Sequence, residues 1–419
     1  MRSVRPIPFV CALTLFALLS LSSAHCAQPE KGSPAPVVLG ISAAFSGPSK
    51  NLGIELYRGA MAYFTHVNDT GGLFNKKIVT LTKNDGYNPT PAVLNTKEFI
   101  DNPDVLLLFN YVGTPTVTRI LPLLKIYDKQ DIFLFFPFSG AQTLRENPFS
   151  KYVFNLRDSY RQETKALVDK FVELGCKRIA VFYQADAYGR SGWSGIRRAL
   201  KAHGLELAGE ATYHRGTPFS ESLIKQAFLI RDAKPDAIIS VGSYEACAAF
   251  IRDARDVGLD APIANLSFVG SESLLHLLET LSNRLKRDYL KKLINTQVVP
   301  CYMDTRLPAV REYRELMEKY ADTPIPVEPE GYVPQKYSFV SFEGFLNAKT
   351  LVEVIRRYGK IPTRAEVPEM MYQAGSFDIG IGSPIHFAPD KHQGLQTVYF
   401  TTVINGEFMP LTDWSPWKK

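Results

Sequence analysis

Cysteine is scarce in this chain, and the few thiols share no recognisable role. The 419 residues contain five cysteines, of which Cys26, Cys176, Cys247 and Cys301 lie beyond the apolar N-terminal segment. Their spacing fits neither a disulfide framework nor a metal-binding motif. We therefore expect mostly buried free thiols.

Groups that could bind a metal or take part in catalysis are equally sparse. The seven histidines are scattered, and neighbouring His386 and His392 have no cysteine or paired acid at ligand spacing. The Gly-x-Gly within Asp378–Gly382 neither follows a clear strand nor opens a helix, so it does not indicate a dinucleotide site. The sequence also lacks a phosphate-binding lysine loop and a serine elbow. We expect no enzyme activity, no catalytic residue, no metal and no cofactor.

Charge of one sign and long apolar runs are also limited. The net charge of +6 falls to +4 without Arg2 and Arg5, and this dispersed excess argues against nucleic acid as a partner. The run Phe9–Leu21 is too short for a membrane anchor, which needs about 20 residues. It ends in Ser22-Ser23-Ala24, which predicts a cleavable signal peptide over residues 1–24. His25 disfavours lipidation of Cys26.

The length of the remaining chain predicts two domains, since single cores stop growing beyond roughly 250–300 residues. Val37–Gly86 reads as one βαβ unit. The apolar run Val37–Ile41 predicts a buried parallel strand, and apolar periodicity over Leu52–Val67 predicts a helix. Loops at the carboxyl ends of parallel strands face the crevice of an open α/β sheet. The loop Ala43–Gly53 is therefore a candidate ligand-facing segment.

The same alternation continues downstream. Val105–Asn110 and Ile132–Phe136 are predicted strands, and Val153–Arg157 is predicted to cross to a second lobe. There the pattern restarts with a strand at Arg178–Tyr183, followed by a loop at Asp186–Gly192. A second regular βαβ array predicts a second lobe of similar architecture.

An ordered set of short motifs resembles a known family. Gly40-Ile41-Ser42, Ser46-Gly47-Pro48, Asn68–Gly72 and Asp85 with Pro89 resemble the leucine/isoleucine/valine-binding receptors. These are type I periplasmic solute-binding proteins that serve ABC importers. Downstream likeness is found at Asp186–Gly192, Arg252–Leu259 and Asp390–Gly394.

The resemblance implies an α/β fold of two Rossmann-like lobes joined by a three-stranded hinge. Lobe 1 would comprise residues 37–157 plus 301–396, and lobe 2 residues 158–300 plus 397–419. It further implies a monomeric periplasmic protein that closes on a small-molecule ligand and meets an inner-membrane permease.

The resemblance also assigns roles in the cleft. In the family, hydroxyls and backbone N–H groups after the third and fourth strands hold a ligand carboxylate, an acid in lobe 2 holds the ammonium, and tyrosines cover the ligand. Thr114 and Thr116 match the hydroxyl loop, Tyr244 matches an aromatic lid, and the acidic position falls at Ser267. The predicted ligand-binding residues are Ser46, Tyr111, Thr114, Thr116, Phe138, Ser139, Gly140, Tyr183, Tyr188, Tyr244 and Ser267.

Ser267 departs from the family pattern in a way that matters for the ligand. A buried ammonium without a carboxylate costs several kcal/mol, so a plain α-amino acid would be a poor ligand unless Glu245 or Glu272 substitutes. Arg119 and Arg157 could each pair with a ligand acid or form an ordinary ion pair. Aromatic residues gather at the predicted strand ends, where about half would be core: Phe109, Tyr111, Phe136, Phe138, Tyr183, Tyr188, Tyr244 and Phe268.

These features predict a receptor that captures a small, largely apolar or amphipathic ligand and delivers it to an ABC-type importer. The family default is a branched-chain or related amino acid. One alternative is a periplasmic carrier of a bulky apolar lipid such as a sterol, or of an aromatic acid. Another is a ligand sensor that docks on a membrane receptor.

Overall fold

The computed structural model describes residues 34–327 and 331–419. The predicted signal peptide and Cys26 lie outside the described residues. The strands are β1 Val37–Ala43, β2 Ile78–Asn84, β3 Val105–Phe109, β4 Leu134–Phe135, β5 Val153–Phe154, β6 Ile179–Gln184, β7 Leu207–Tyr213, β8 Ala237–Val241, β9 Ile263–Asn265, β10 Leu293–Gln297, β11 Ser376–Phe377, β12 Ile385–His386, β13 Tyr399–Ile404 and β14 Glu407–Pro410. The helices are α1 Lys50–Asp69, α2 Pro89–Asp101, α3 Thr114–Ile126, α4 Tyr160–Glu173, α5 Ala187–Ala202, α6 Ile224–Asp232, α7 Tyr244–Asp256, α8 Ser271–Leu285, α9 Pro308–Lys319, α10 Phe339–Tyr358 and α11 Val367–Gln373.

The first sheet is fully parallel, in the order β2-β1-β3-β4-β5. All seven residues of β1 are buried, as expected for a strand covered on both faces. Helix α1 packs closely against α10 because glycines stand at the contact. A β-carbon on Gly59 would lie 1.7 Å from the carbonyl oxygen of Ser341, and one on Gly344 would lie 2.0 Å from that of Leu56.

The second sheet has the order β14-β13-β10-β9-β8-β6-β7. Its strands from β10 to β7 are parallel, and β13 and β14 add an antiparallel edge. Helices α4 and α5 pack against each other in this lobe, as do α7 and α8. Strand β13 therefore returns the end of the chain to the second sheet.

The chain crosses between the sheets three times: after β5, after β10 and before β13. Two of these crossovers run side by side. The amide of Asn155 donates to the carbonyl of His392 at 2.8 Å, and the amide of Gly394 donates back to Asn155 at 2.9 Å. The predicted fold of two α/β lobes joined by a hinge is confirmed, whereas the residue boundaries of the lobes stay a prediction.

One local expectation was wrong. Asp186–Gly192 is not a loop, because α5 begins at Ala187 with the Asp186 carboxylate accepting from the amide of Tyr188 at 2.9 Å. The glycines in this segment allow close packing. A β-carbon on Gly189 would lie 1.8 Å from the carbonyl oxygen of Gln184, and one on Gly192 would lie 2.6 Å from Val241.

Within the described residues, the structure has no helix that is both long enough and apolar enough to cross a membrane.

Candidate functional site

Five aromatic side chains converge where the two sheets face each other, and we call them the aromatic cluster. Phe268 lies at its centre, with ring-centroid distances of 4.7 Å to Tyr188, 5.2 Å to Phe138 and 5.9 Å to Tyr87. Tyr160 completes it, 5.0 Å from Tyr188. None of the five is more than 3% exposed. The cluster thus joins loops of the first sheet to loops of the second.

Local structure explains why these rings meet. Phe138 follows β4 and pairs in a β-bridge with Val112, the residue that follows β3 by a short loop. Phe268 lies in the turn after β9, and Tyr188 occupies the first turn of α5 after β6. Tyr160 is the first residue of α4. The carboxyl ends of parallel strands share one edge of each sheet, so their loops meet when the edges face each other.

Arg157, on the first crossover, extends into this cluster and is 1% exposed. Its guanidinium carbon lies 4.5 Å from the centre of the Phe138 ring, and Nη2 donates to the Ser267 hydroxyl. Its nitrogens lie 3.5 Å from a Glu343 oxygen and 4.0 Å from a Glu163 oxygen. Although burial lowers the pKa of Arg157, the neighbouring Glu343 raises it above the usual value, so the group is a cation.

Glu163 is an acid that contacts Ser267. Its carboxylate accepts from the amide of Ser267 at 2.8 Å, from the Ser267 hydroxyl at 3.0 Å and from the Thr296 hydroxyl at 2.6 Å. Burial raises the pKa of Glu163. Burial also raises the pKa of Glu343, to about 7, in spite of the nearby Arg157.

Two buried polar atoms in this region, the Tyr188 hydroxyl and Nη1 of Arg157, make no hydrogen bond to any described residue. The Tyr160 hydroxyl interacts with Thr114, and Nε of Arg157 lies 3.5 Å from Glu343. Buried polar groups without partners are uncommon because each carries an uncompensated desolvation cost. Their concentration between two lobes is what a ligand-binding cleft requires, since a ligand can supply the missing partners.

The structure brings several predicted site residues to this region. Phe138, Tyr188 and Ser267 belong to it directly. Beside them, the hydroxyls of Thr114 and Ser139 lie 2.8 Å apart, which is hydrogen-bonding distance. The carbonyl of Gly140 accepts from the amide of Tyr160 at 2.8 Å, which ties the loop after β4 to the start of α4.

Tyr244 contacts the other lobe at a second place. Its hydroxyl accepts from the amide of Asn51 at 3.4 Å. Nearby, the Ser273 hydroxyl on α8 accepts from the Asn51 side chain at 3.1 Å and from the Gln335 side chain at 2.9 Å. Helix α1 of the first lobe is thereby held against α8 of the second.

Besides Tyr244, four predicted site residues lie away from the aromatic cluster. The Tyr111 hydroxyl is hydrogen-bonded to Thr96 at 3.0 Å in a separate core beneath α2 and α3. Thr116 donates to the carbonyl of Gly113 at 2.7 Å, as helical threonines often do. The remaining two are Ser46, which is exposed and accepts from Asn84 at 2.8 Å, and Tyr183, half-buried beside Trp193 at 6.4 Å.

The acids proposed as substitutes for the family's anchor also lie elsewhere. Glu245 accepts from the amide of Phe219 at 2.9 Å. Glu272 lies in the first turn of α8, where burial raises its pKa to about 8. Arg119 is exposed on α3 and cannot serve a buried ligand.

Four site residues escaped sequence reasoning. Glu163 and Glu343 lie in helices, where a glutamate normally indicates a solvated face. Tyr160 opens a helix and Tyr87 follows a turn, and both positions suggest surface. The one usable signal was the run of aromatic residues at strand ends, which did identify Phe138, Tyr188 and Phe268.

A groove of about 370 Å³ opens between the lobes beside Thr114. The first lobe lines it with Thr114 and Gln142, and the second with Arg161, Arg190 and Ser194. Thr114 also bonds Ser139, the neighbour of Phe138, so this groove lies beside the aromatic cluster.

The part of the chain that the structure describes contains no group of three or more His, Cys, Asp or Glu side chains that could hold a metal ion. Its three described cysteines are free and buried.

Comparison with known proteins agrees with this geometry. A family model described as periplasmic binding protein matches residues 36–407. A solved structure of a possible leucine/isoleucine/valine-binding protein from Rhodopirellula baltica is 31% identical, with a TM-score of 0.80 over 94% of this chain and 99% of its own.

More distant relatives extend the comparison. An amino acid binding protein of Pseudomonas aeruginosa is 23% identical over 60% of this chain, a match that spans 64% of that protein. A fatty acid ABC transporter substrate-binding protein from Thermomonospora curvata shares the fold at 20% identity, with a TM-score of 0.74 over 90% of this chain and 91% of its own. Since the family model covers nearly every described residue, the chain belongs to the type I periplasmic binding protein family of leucine/isoleucine/valine-binding receptors.

Proposed function

We propose that this protein is a periplasmic solute receptor that captures a small, largely apolar or amphipathic ligand between its lobes. Closure about the three crossovers would enclose the ligand, and the closed protein, as a monomer, would deliver it to the permease of an inner-membrane ABC importer. The observation that carries the proposal is the aromatic cluster at the interface between the lobes, with the unpartnered hydroxyl of Tyr188.

The cluster favours an apolar ligand over the family default. An amino acid would need a free carboxylate for its ammonium near Ser267. Glu163 is the acid that contacts Ser267, and it already receives three hydrogen bonds from Ser267 and Thr296. Aromatic walls with a few polar groups are typical of sites for amphipathic ligands.

A second candidate is a carrier of a bulkier apolar molecule, such as a sterol-type lipid or an aromatic acid. The directly contacting rings of Phe138 and Phe268 favour it, because separating the lobes exposes an apolar face on each side. The fold neighbour from Thermomonospora curvata is described as a fatty acid ABC transporter substrate-binding protein, which shows that a lipid-related role exists on this scaffold.

Native mass spectrometry of the mature protein purified from its own periplasm tests both candidates. A co-purifying mass that is lost on unfolding supports a solute receptor. The mass and the partitioning of the released molecule then separate the candidates. A bulky molecule that enters organic solvent indicates a sterol-type lipid, and a small mass indicates a small solute.

A pair of matched variants tests whether the ligand binds in the cleft. Phe268→Asp puts a charge among the rings and should abolish co-purification, whereas Phe228→Asp on the partly exposed side of α6 should not. Equal ligand loading of both variants would contradict the proposed site.

A further inference from the structure

Arg157 stands where a ligand's positive group would otherwise be held. Its guanidinium lies over the Phe138 ring, donates to Ser267 and faces the Glu163 carboxylate. Phe138 belongs to the first lobe's loops and Ser267 to the second's. The cation is thus fixed in the wall of the cleft by the protein itself, and this step rests on the function proposed above.

A positively charged ligand group is disfavoured beside Arg157. A ligand ammonium would lose its water in this buried site and would need a carboxylate with free acceptor capacity, which Arg157 and its two acids do not offer. The nearby Glu163 has both oxygens committed to Ser267 and Thr296, so it has little remaining capacity to accept from a ligand.

A ligand anion is disfavoured for a different reason. Arg157 faces two carboxylates, at 3.5 Å from Glu343 and 4.0 Å from Glu163, so its charge is already compensated. A ligand carboxylate would be a third acid beside Arg157, and no net positive charge remains there to balance it. Arg145, on the loop after β4, is the other cation that acts on Glu343, and its guanidinium donates to the Arg157 carbonyl and to Gln393.

The unpartnered atoms indicate what the ligand does carry. Nη1 of Arg157 can only donate hydrogen bonds, and the Tyr188 hydroxyl can donate or accept. A carbonyl, ether or hydroxyl oxygen satisfies such donors without bringing a charge into the cleft.

We infer that Arg157, Glu163 and Glu343 satisfy one another's charges and leave no counter-charge for a ligand, so that the cleft selects an uncharged, aromatic-sized apolar molecule bearing an acceptor oxygen. Opening of the hinge parts Phe138 from Phe268 and Tyr188, and the ligand's apolar body takes the space between them. Its oxygen then meets Arg157 or Tyr188.

Four naphthalene probes of similar size test this inference: 2-acetonaphthone is neutral, 2-naphthoate is an anion, 2-naphthylmethylammonium is a cation and 2-naphthylalanine is a zwitterion. Binding to the ligand-free protein is measured by titration calorimetry at pH 8, above the pKa of about 7 for Glu343. 2-Acetonaphthone should bind at least tenfold more tightly than each charged probe. Comparable binding of any charged probe, or no binding of 2-acetonaphthone, overturns the inference.

Any apolar pocket disfavours charge to some degree, so a variant must show that these residues are responsible. Glu343→Gln removes one carboxylate, and the affinity of 2-naphthoate relative to 2-acetonaphthone should rise about tenfold at pH 8. Glu353→Gln, on the partly exposed side of the same helix, is the matched control and should leave that ratio as in the wild type. An unchanged ratio in Glu343→Gln contradicts the role assigned to this charge group.

Failure of this inference is distinguishable from failure of the proposed function. A charged solute that co-purifies with the protein and needs Phe268 for retention would sustain the receptor and refute the charge selection. A protein that carries no solute and binds none of the probes would refute both.

Discussion

Tyr87 and Gln184 are hydrogen-bonded across the cleft, with Gln184 Nε2 donating to the Tyr87 hydroxyl at 3.2 Å. Tyr87 lies beyond β2 in the first lobe, and Gln184 ends β6 in the second. The same amide side chain accepts from the Tyr213 hydroxyl at 3.0 Å and donates to Asp186 at 2.7 Å. Gln184 is thus held in place by its own lobe before it meets Tyr87.

This bond predicts that Tyr87→Phe shifts the protein toward the open form. The change removes one buried hydrogen bond worth about 0.5–1.5 kcal/mol, which is roughly a two- to twelvefold change in the closing equilibrium. Small-angle X-ray scattering of the ligand-free protein should show a larger mean radius of gyration. Tyr320→Phe removes a hydroxyl bonded to Asp69 within one lobe and should not change the radius.

The contacts of Arg157 predict that its contribution to the free energy of unfolding is strongly coupled to those of Glu163 and Glu343. Arg157→Met removes the cation that contacts Glu163 and Glu343 and leaves Arg145 as the other positive charge that acts on Glu343. Removing one partner of a buried ion pair costs about 3–5 kcal/mol. Urea unfolding at pH 7.5 should show a destabilisation of this size. Adding Glu343→Gln should recover part of it.

The double-mutant cycle makes this prediction falsifiable. Because the two side chains contact each other, their effects on the free energy of unfolding should not add. Strict additivity would show that Glu343 does not interact energetically with Arg157, and it would also remove the basis for the charge selection.

Glu272 predicts a pH dependence of stability. Burial, in a surrounding that includes Glu55, Tyr302, Tyr313 and Cys301, raises its pKa to about 8 from a usual value of 4.5. The folded state therefore binds this proton more tightly than the unfolded state. The stability due to this group is fully present below about pH 4.5 and is lost as the pH rises to about 8.

Glu272→Gln should thus stabilise the protein at pH 8 relative to wild type, by about 2 kcal/mol or more, and have little effect at pH 5. Thermal unfolding at the two pH values measures this difference, with Glu353→Gln, at a partly exposed glutamate paired with Arg357, as the control. A benefit of equal size at both pH values would show that the Glu272 carboxyl does not titrate with a raised pKa.

The sequence predicted the lobes well because a buried parallel strand and an amphipathic helix are local patterns. The run Val37–Ile41 and the periodicity of α1 need no knowledge of distant residues. The prediction of a loop around Gly189 and Gly192 was wrong because glycine is common both in loops and where two backbone segments pack closely. Only the packed neighbour, Gln184 for Gly189 and Val241 for Gly192, distinguishes the two cases.

The candidate site was predicted less completely, for a physical reason. Phe138, Tyr188 and Phe268 could be found because each follows a strand, which is a property of the sequence nearby. Glu163 could not be linked to Ser267 because the two lie 104 positions apart and meet only after the second lobe has folded. A resemblance assigns a role by position, so it cannot show that another helix brings an acid to Ser267.

The last prediction concerns the contact of Gly140, in the loop after β4, with Tyr160, which follows the first crossover. A β-carbon there would lie 2.6 Å from the backbone nitrogen of Tyr160 and 2.6 Å from its ring, so the backbone itself would have to move. Gly140→Ala should therefore destabilise the protein by about 1–3 kcal/mol through overpacking and displace Tyr160 from Tyr188. Thr143→Ala, an exposed change in the same loop, should alter neither stability nor tyrosine fluorescence. If Gly140→Ala retains wild-type stability and hydrogen-exchange protection at the Tyr160 amide, the contact that closes this side of the cleft is not tight.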